Sequence, residues 1–84
     1  MTFDLLAQAV QFHRKKAGLS RNELAVIAGV GKTMIFDIEH GKDTVQFASL
    51  FKVLTTLNIR LDIISPFAAE FKQNSMIENE KSPR

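Results

Sequence analysis

Residues 20–41 read SRNELAVIAGVGKTMIFDIEHG, and the punctuation of this stretch decides the architecture. Ser20-Arg21-Asn22-Glu23 has the spacing of a capping box. The Ser20 hydroxyl can accept from the Glu23 amide while the Glu23 carboxylate reaches back to the Ser20 amide. The helix begun there is short, because Gly29 stops it. Gly29-Val30-Gly31 makes a three-residue turn with Val30 pointed inward. A second helix follows from Lys32 to His40, with Ile35 and Ile38 on its buried side and Gly41 as its stop. Two helices joined so tightly need a small residue where they cross, and Ala25 stands there. Leu24, Val30, Ile35 and Ile38 supply the apolar seam.

Upstream, Thr2 or Asp4 can cap a helix running to about Ala17. Phe3, Leu6, Val10 and Ala17 recur at helical spacing and mark its buried face. Leu5, Ala9 and Phe12 form a second stripe beside it, which leaves Phe12 partly exposed or at an interface. Arg14, Lys15 and Lys16 occupy the last turn, where cations complement the helix dipole, and Gly18 supplies a left-handed cap. Downstream, Phe47 to Leu57 is a fourth helix with Phe47, Leu50, Phe51, Leu54 and Leu57 as its apolar face. After Asn58 the period changes to two: Ile59-Arg60-Leu61-Asp62-Ile63 alternates strictly and reads as a half-buried strand ended by Ser65-Pro66. One strand is not stable without a partner, and no second strand is found in the chain. Antiparallel pairing with a second copy across a two-fold axis would satisfy its edge and bury Ile59, Leu61 and Ile63. Residues 66–73 can form a helical turn or two starting at Pro66, whereas residues 75–84 have few anchors and are expected to be disordered. The expected organisation is one mostly α domain over residues 1–65, with a dimerising strand at 59–64 and a largely flexible tail at 66–84.

Bulk composition narrows the possibilities without choosing among them. Eighty-four residues make one small domain, of a size that often gains from oligomerisation. The absence of cysteine removes disulfides and thiolate metal sites. No apolar run approaches a membrane span, and no signal peptide is visible, so a cytoplasmic location is expected. Net charge is only +2, shared evenly between the two halves of the chain. Nucleic-acid binders usually carry a strongly basic stripe; here any such argument must rest on geometry.

That geometry is a helix-turn-helix: a short helix, a tight turn and a second helix presented to the major groove. The chain resembles the Cro/repressor-like (XRE) helix-turn-helix family over about Val10 to Ile59. The matching residues include Arg14, Gly18-Leu19-Ser20, Glu23-Leu24-Ala25, Gly29-Val30, Ile38-Glu39, Gly41, Leu50, Val53 and Leu57. The resemblance implies a four- to five-helix lambda-repressor-like domain. It implies an Arg14–Glu39 pair that ties the first helix to the recognition helix, against the alternatives of a phosphate contact or plain solvation for Arg14. It places base-edge contacts at Lys32, Thr33, Phe36 and Asp37. Lys32 can donate to guanine, Thr33 can meet a base or a thymine methyl, and Asp37 can accept from cytosine. Phe36 has two readings, a thymine-methyl contact or packing on its own neighbours. Asp37 likewise has two, a base contact or a pair with Lys32 or Lys42. Arg21, His40, Lys42 and Thr44 fall where the family grips phosphates, which positions a protein without specifying sequence. Gly31 departs from the usual Ser or Thr cap and can let a phosphate approach the backbone.

The strand narrows the family. A helix-turn-helix core followed at once by one dimerising strand resembles the HipB-type antitoxins, along the runs Gly31-Lys32-Thr33, Asp37 to Lys42, Thr44-Val45-Gln46 and Leu54 to Leu61. The resemblance implies a homodimeric repressor of its own operon with a HipA-like serine/threonine kinase toxin as partner, in a bacterial cytoplasm. Phe67 and Phe71, spaced i and i+4, are candidates for a partner contact; packing on the protein's own first helix is the plainer reading. Two alternatives stand beside the antitoxin: a stand-alone phage- or plasmid-type repressor, and a protein-binding helix-turn-helix module. Catalysis is not expected, nor a cofactor or metal. His13 and His40 are the only histidines, and His13 is read as lying on or beside the buried face of the first helix. Gly29-Val30-Gly31-Lys32-Thr33 faintly resembles the end of a P-loop, but its glycine spacing is wrong and no strand leads into it.

Overall fold

The structure, a computed structural model, describes residues 2–81. Five helices follow in order: α1 (Phe3–Lys16), α2 (Arg21–Ala28), α3 (Lys32–Glu39), α4 (Phe47–Thr56) and α5 (Ala68–Lys81). The Thr2 hydroxyl accepts from the Leu5 amide and caps α1. Both halves of the Ser20–Glu23 capping box are formed at α2. Four helices end in the same way. At Gly18, Gly29, Gly41 and Asn58 the backbone turns left-handed, and the next amide reaches back to close the last turn: Leu19 to the Arg14 carbonyl, Val30 to Ala25, Lys42 to Asp37 and Ile59 to Leu54. Asn58 is the one non-glycine residue in that region, a place asparagine tolerates better than most. Its turn folds the chain back so that Ile59 packs against the core.

Leu6, Val10, Leu24, Ala25, Ile35, Ile38, Leu50, Val53 and Leu54 form one buried cluster drawn from α1 to α4. Each of the larger side chains contributes about 1.5–3 kcal/mol through burial. Val30, Leu19 and Leu57 pack around them. The end of α3 lies against the start of α1, so closely that a Cβ added at Gly41 would sit 3.2 Å from Asp4 Oδ1.

Four expectations change. The inward face of α1 is Leu6, Ala7, Val10 and Arg14, while Phe3, Ala17 and His13 are exposed. The charged Arg14 takes the place assigned to Ala17, because its partner lies inside. His13 therefore does not face the core; its Nδ1 lies 2.6 Å from the Ala9 carbonyl on the open side of the helix. On α4 the core takes Leu50, Val53 and Leu54, whereas Phe47 is 67% exposed and Phe51 51%. Those two rings stack on each other outside. In the C-terminal part, residues 68–81 are helical rather than limited to a turn or two. Ala68, Ala69, Glu70, Lys72 and Gln73 are good helix formers, so propensity carries the helix past the point where apolar anchors run out. Residues 82–84, part of the segment expected to be disordered, lie outside the described residues. Residues 59–64 form no strand within the chain, since no other segment offers a ladder.

Candidate nucleic-acid interface

The site is organised around a carboxylate at the wrong end of a helix. Glu39 closes α3, where the dipole disfavours negative charge, and its side chain is fully shielded from solvent. Two guanidinium groups make this arrangement stable. Arg14 of α1 donates through Nε and Nη2 to the two Glu39 oxygens at 2.5 and 3.1 Å, the two-pronged geometry specific to arginine. Its Nη1 donates to the Leu19 carbonyl at 2.8 Å, which also ties down the α1–α2 connection. Arg21 of α2 donates through Nε to Glu39 Oε1 at 3.0 Å. Burial pushes the Glu39 carboxyl upward, but the hydrogen bonds from Arg14 and Arg21 outweigh it and hold the group below the ordinary carboxylate range. The Glu39 hydrogen bond likewise raises Arg14. Three helices thus meet on one carboxylate, and the tilt of α3 is fixed by it. Among the described residues no buried side-chain nitrogen or oxygen is left without a partner.

With Ile35 and Ile38 locked inside, the opposite face of α3 is turned out. Lys32 and Thr33 are exposed at its start, and Phe36 is 46% exposed one turn on. Together with Arg21 they border an open groove whose far wall is made by Gln11 and Lys15 of α1 and Asn22 of α2. Sequence reasoning missed these last three. The signal was present for two of them: Gln11, Arg14 and Lys15 share one helical face, so placing Arg14 against α3 places the others beside it.

The remaining candidates divide. Asp37 is paired with Lys42, Nζ to Oδ2 at 3.5 Å. His40 stacks on Phe36 with ring centroids 3.8 Å apart, and its Nδ1 lies 2.8 Å from the Phe36 carbonyl. Arg21 is held to Glu39 and also lies over the Phe36 ring, 5.3 Å from its centroid. Gly31 caps α3 without a side-chain bond and has open space around it. Thr44 is exposed in the loop before α4. Of the residues assigned to dimerisation, Leu61 and Ile63 stay uncovered in the single chain, while Ile59 is half-buried against the core. Phe67 is 72% exposed and Phe71 about half. Among the described residues no cluster of His, Asp or Glu is suited to hold a metal ion, and no helix is long and apolar enough to cross a membrane.

Known proteins share this design. A model of the Helix-turn-helix family HTH_3 matches residues 12–64, well over half of the chain. An uncharacterized HTH-type transcriptional regulator of Sinorhizobium fredii, y4mF, is 44% identical over 57 residues, covering 68% of this chain and 75% of that protein. Among solved structures, a HipB–O1–O2 complex superposes with a TM-score of 0.69 at 25% identity, over 77% of this chain and 94% of the other. A HipA–HipB–O2–O3 complex gives 0.70 at 24% identity, over 79% and 93%. An HTH_3 family transcriptional regulator from Vibrio cholerae gives 0.61 at 32% identity, over 71% and 34%. With its motif, its five-helix architecture and these relatives in agreement, the chain belongs to the XRE-type helix-turn-helix family of transcriptional regulators and has the HipB fold.

Proposed function

We propose that the protein is a sequence-specific repressor that binds operator DNA as a homodimer and serves as the antitoxin of a HipA-like serine/threonine kinase. The observation that carries the DNA reading is the outward face of α3: Lys32, Thr33 and Phe36 stand exposed on a helix whose orientation is fixed from behind by Arg14, Arg21 and Glu39. A helix enters a major groove as a rigid unit, so a fixed tilt is what base readout needs. Lys32 and Thr33 are assigned to base edges. Asp37, occupied by Lys42, has less freedom to reach a cytosine. Arg21, His40, Lys42, Thr44 and the backbone at Gly31 are assigned to phosphates.

Dimerisation through residues 59–64 supplies the second reading helix. Its support is the row of exposed apolar residues from Leu61 to Ile64, which the chain itself leaves uncovered. The kinase partner is supported by the fold shared with HipB, which has been solved together with HipA. Phe67 and Phe71, uncovered in the single chain, are candidates for that contact. A second reading, a stand-alone repressor, is favoured by the relative of higher identity, described only as a transcriptional regulator.

The test begins with DNA. Lys32→Ala should relax preference at one base pair, by roughly 1–3 kcal/mol, while Arg21→Ala should weaken all sequences alike. Identical behaviour of the two variants across duplex sequences would remove the division of roles. For the partner, a HipA-like kinase encoded beside this gene should form a stable complex with the chain and lose kinase activity in it. Tight operator binding with no such complex leaves the stand-alone repressor.

A further inference from the structure

The DNA-facing side of α3 carries a contact that base readout does not require. Arg21 bonds Glu39 through Nε alone, which leaves its two Nη groups without a hydrogen-bond partner among the described residues. The face of the same guanidinium lies over Phe36, and Phe36 is stacked on His40, one turn along the helix. His40 is itself held by its Nδ1 against the Phe36 carbonyl. A long, rotamer-rich side chain is thus fixed at two points, edge and face, at the border of the groove that also carries Lys15, Asn22 and Lys32. Guanidinium is suited to this, because it stacks on aromatic rings and still offers a planar fork to an oxyanion.

We infer that Phe36 is a positioning residue: braced by His40, it holds the Arg21 guanidinium so that its two free Nη groups meet a DNA phosphate. The inference rests on the reading of the α3 face as a DNA-binding surface, and it replaces a direct thymine-methyl contact as the main role of Phe36. Pre-ordering Arg21 removes rotamer entropy that binding would otherwise cost, so the ring acts on affinity for every sequence rather than on the choice among sequences.

Two measurements test it. In the free protein, the ring current of Phe36 should shift the Arg21 side-chain proton resonances. That shift should vanish in Phe36→Leu and persist in Phe36→Tyr, which keeps the ring. Absence of the shift in the wild type overturns the column before any DNA is added. The second measurement uses a duplex selected from a random library by the wild-type protein, titrated at graded salt. Each lost phosphate contact lowers the slope of log affinity against log salt by about 0.9. Arg21→Ala should lower it by that amount per protomer; Phe36→Leu, which loosens Arg21 without removing its charge, should weaken every duplex alike, and the double variant should lose no more than Arg21→Ala. A Phe36→Leu loss confined to discrimination at a single T·A pair overturns the inference in favour of the methyl contact. Additive losses in the double variant also overturn it. Wild-type protein that selects no duplex refutes the DNA reading instead, a result separate from the resonance shift.

Discussion

The body made by α1 to α4 builds a buried interior of its own, whereas the chain that follows Ile59 buries none of its described large apolar side chains. In the body, Val10, Leu24, Ile35 and Val53 are shut away from water, and even the charges of Arg14 and Glu39 are placed inside with their partners. Beyond Ile59, Leu61, Ile63, Ile64, Phe67 and Phe71 are between 42% and 92% exposed, and α5 is tied to the preceding segment by a surface ion pair, Lys72 Nζ to Asp62 Oδ1 at 2.6 Å, and by the backbone bonds of Ala68 to Ser65 and Phe71 to Phe67. The first region has an interior of its own, although Phe12, Val26 and Phe47 stay at its surface. The second carries exposed apolar residues that no described part of the chain covers, the feature on which the proposed partner surface rests.

Substitutions can break this comparison. The largest effect is expected from Glu39→Ala, which strands the buried Arg14 guanidinium and releases Arg21 at the groove. Loss of one partner from a buried, hydrogen-bonded charge cluster costs about 3–5 kcal/mol. Its surface counterpart, Asp62→Asn, should cost far less, since Asp62 is an exposed partner in an exposed pair. Chemical denaturation measures both, and near-equal losses would erase the contrast.

Acid titration sharpens it. Glu39 is held below its ordinary value of about 4.5, so the folded protein releases that proton more readily than the unfolded chain. Its contribution is complete above that value and is lost as pH falls through the lower, folded value. Glu23 is also lowered, chiefly by hydrogen bonds with Ser20, but at the surface. Stability should therefore decline below about pH 4.5, and Glu39→Gln should flatten the decline more than Glu23→Gln. Smaller again is Ser20→Ala, about 1 kcal/mol for a lost cap. Ile64→Ser should be nearly silent in the dilute single chain, within about 0.5 kcal/mol, because Ile64 is 92% exposed there.

Local signals in the sequence were enough for much of the body. The capping box at Ser20, the stops at Gly18, Gly29 and Gly41, and the seam of Leu24, Ile35 and Ile38 all act within a few residues, so they can be read without knowing the fold. The errors arose where tertiary contacts chose between equivalent apolar positions. Helical spacing makes Phe47 and Phe51 as eligible for the core as Val53, and only the placement of α2 against α4 decides for Val53. At Arg14 a buried charge broke the apolar stripe, and the Ala17 position was read as core in its place. The groove wall of Gln11, Lys15 and Asn22 and the stacking of Arg21, Phe36 and His40 combine residues from different helices, and no sequence spacing announces them. Residues 59–64 show the reverse case: alternation is plain in the sequence, but a strand exists only where a second strand meets it.

The central claim is that a fixed α3 face and an uncovered 59–64 segment together make a two-fold DNA reader. Hydroxyl-radical footprinting on a selected duplex tests it most directly. The wild type should protect two patches one helical turn apart, about 34 Å, and Leu61→Asp, still folded, should lose the paired pattern together with most of its affinity. A single isolated patch from the wild type, or an unchanged pair from folded Leu61→Asp, would contradict it.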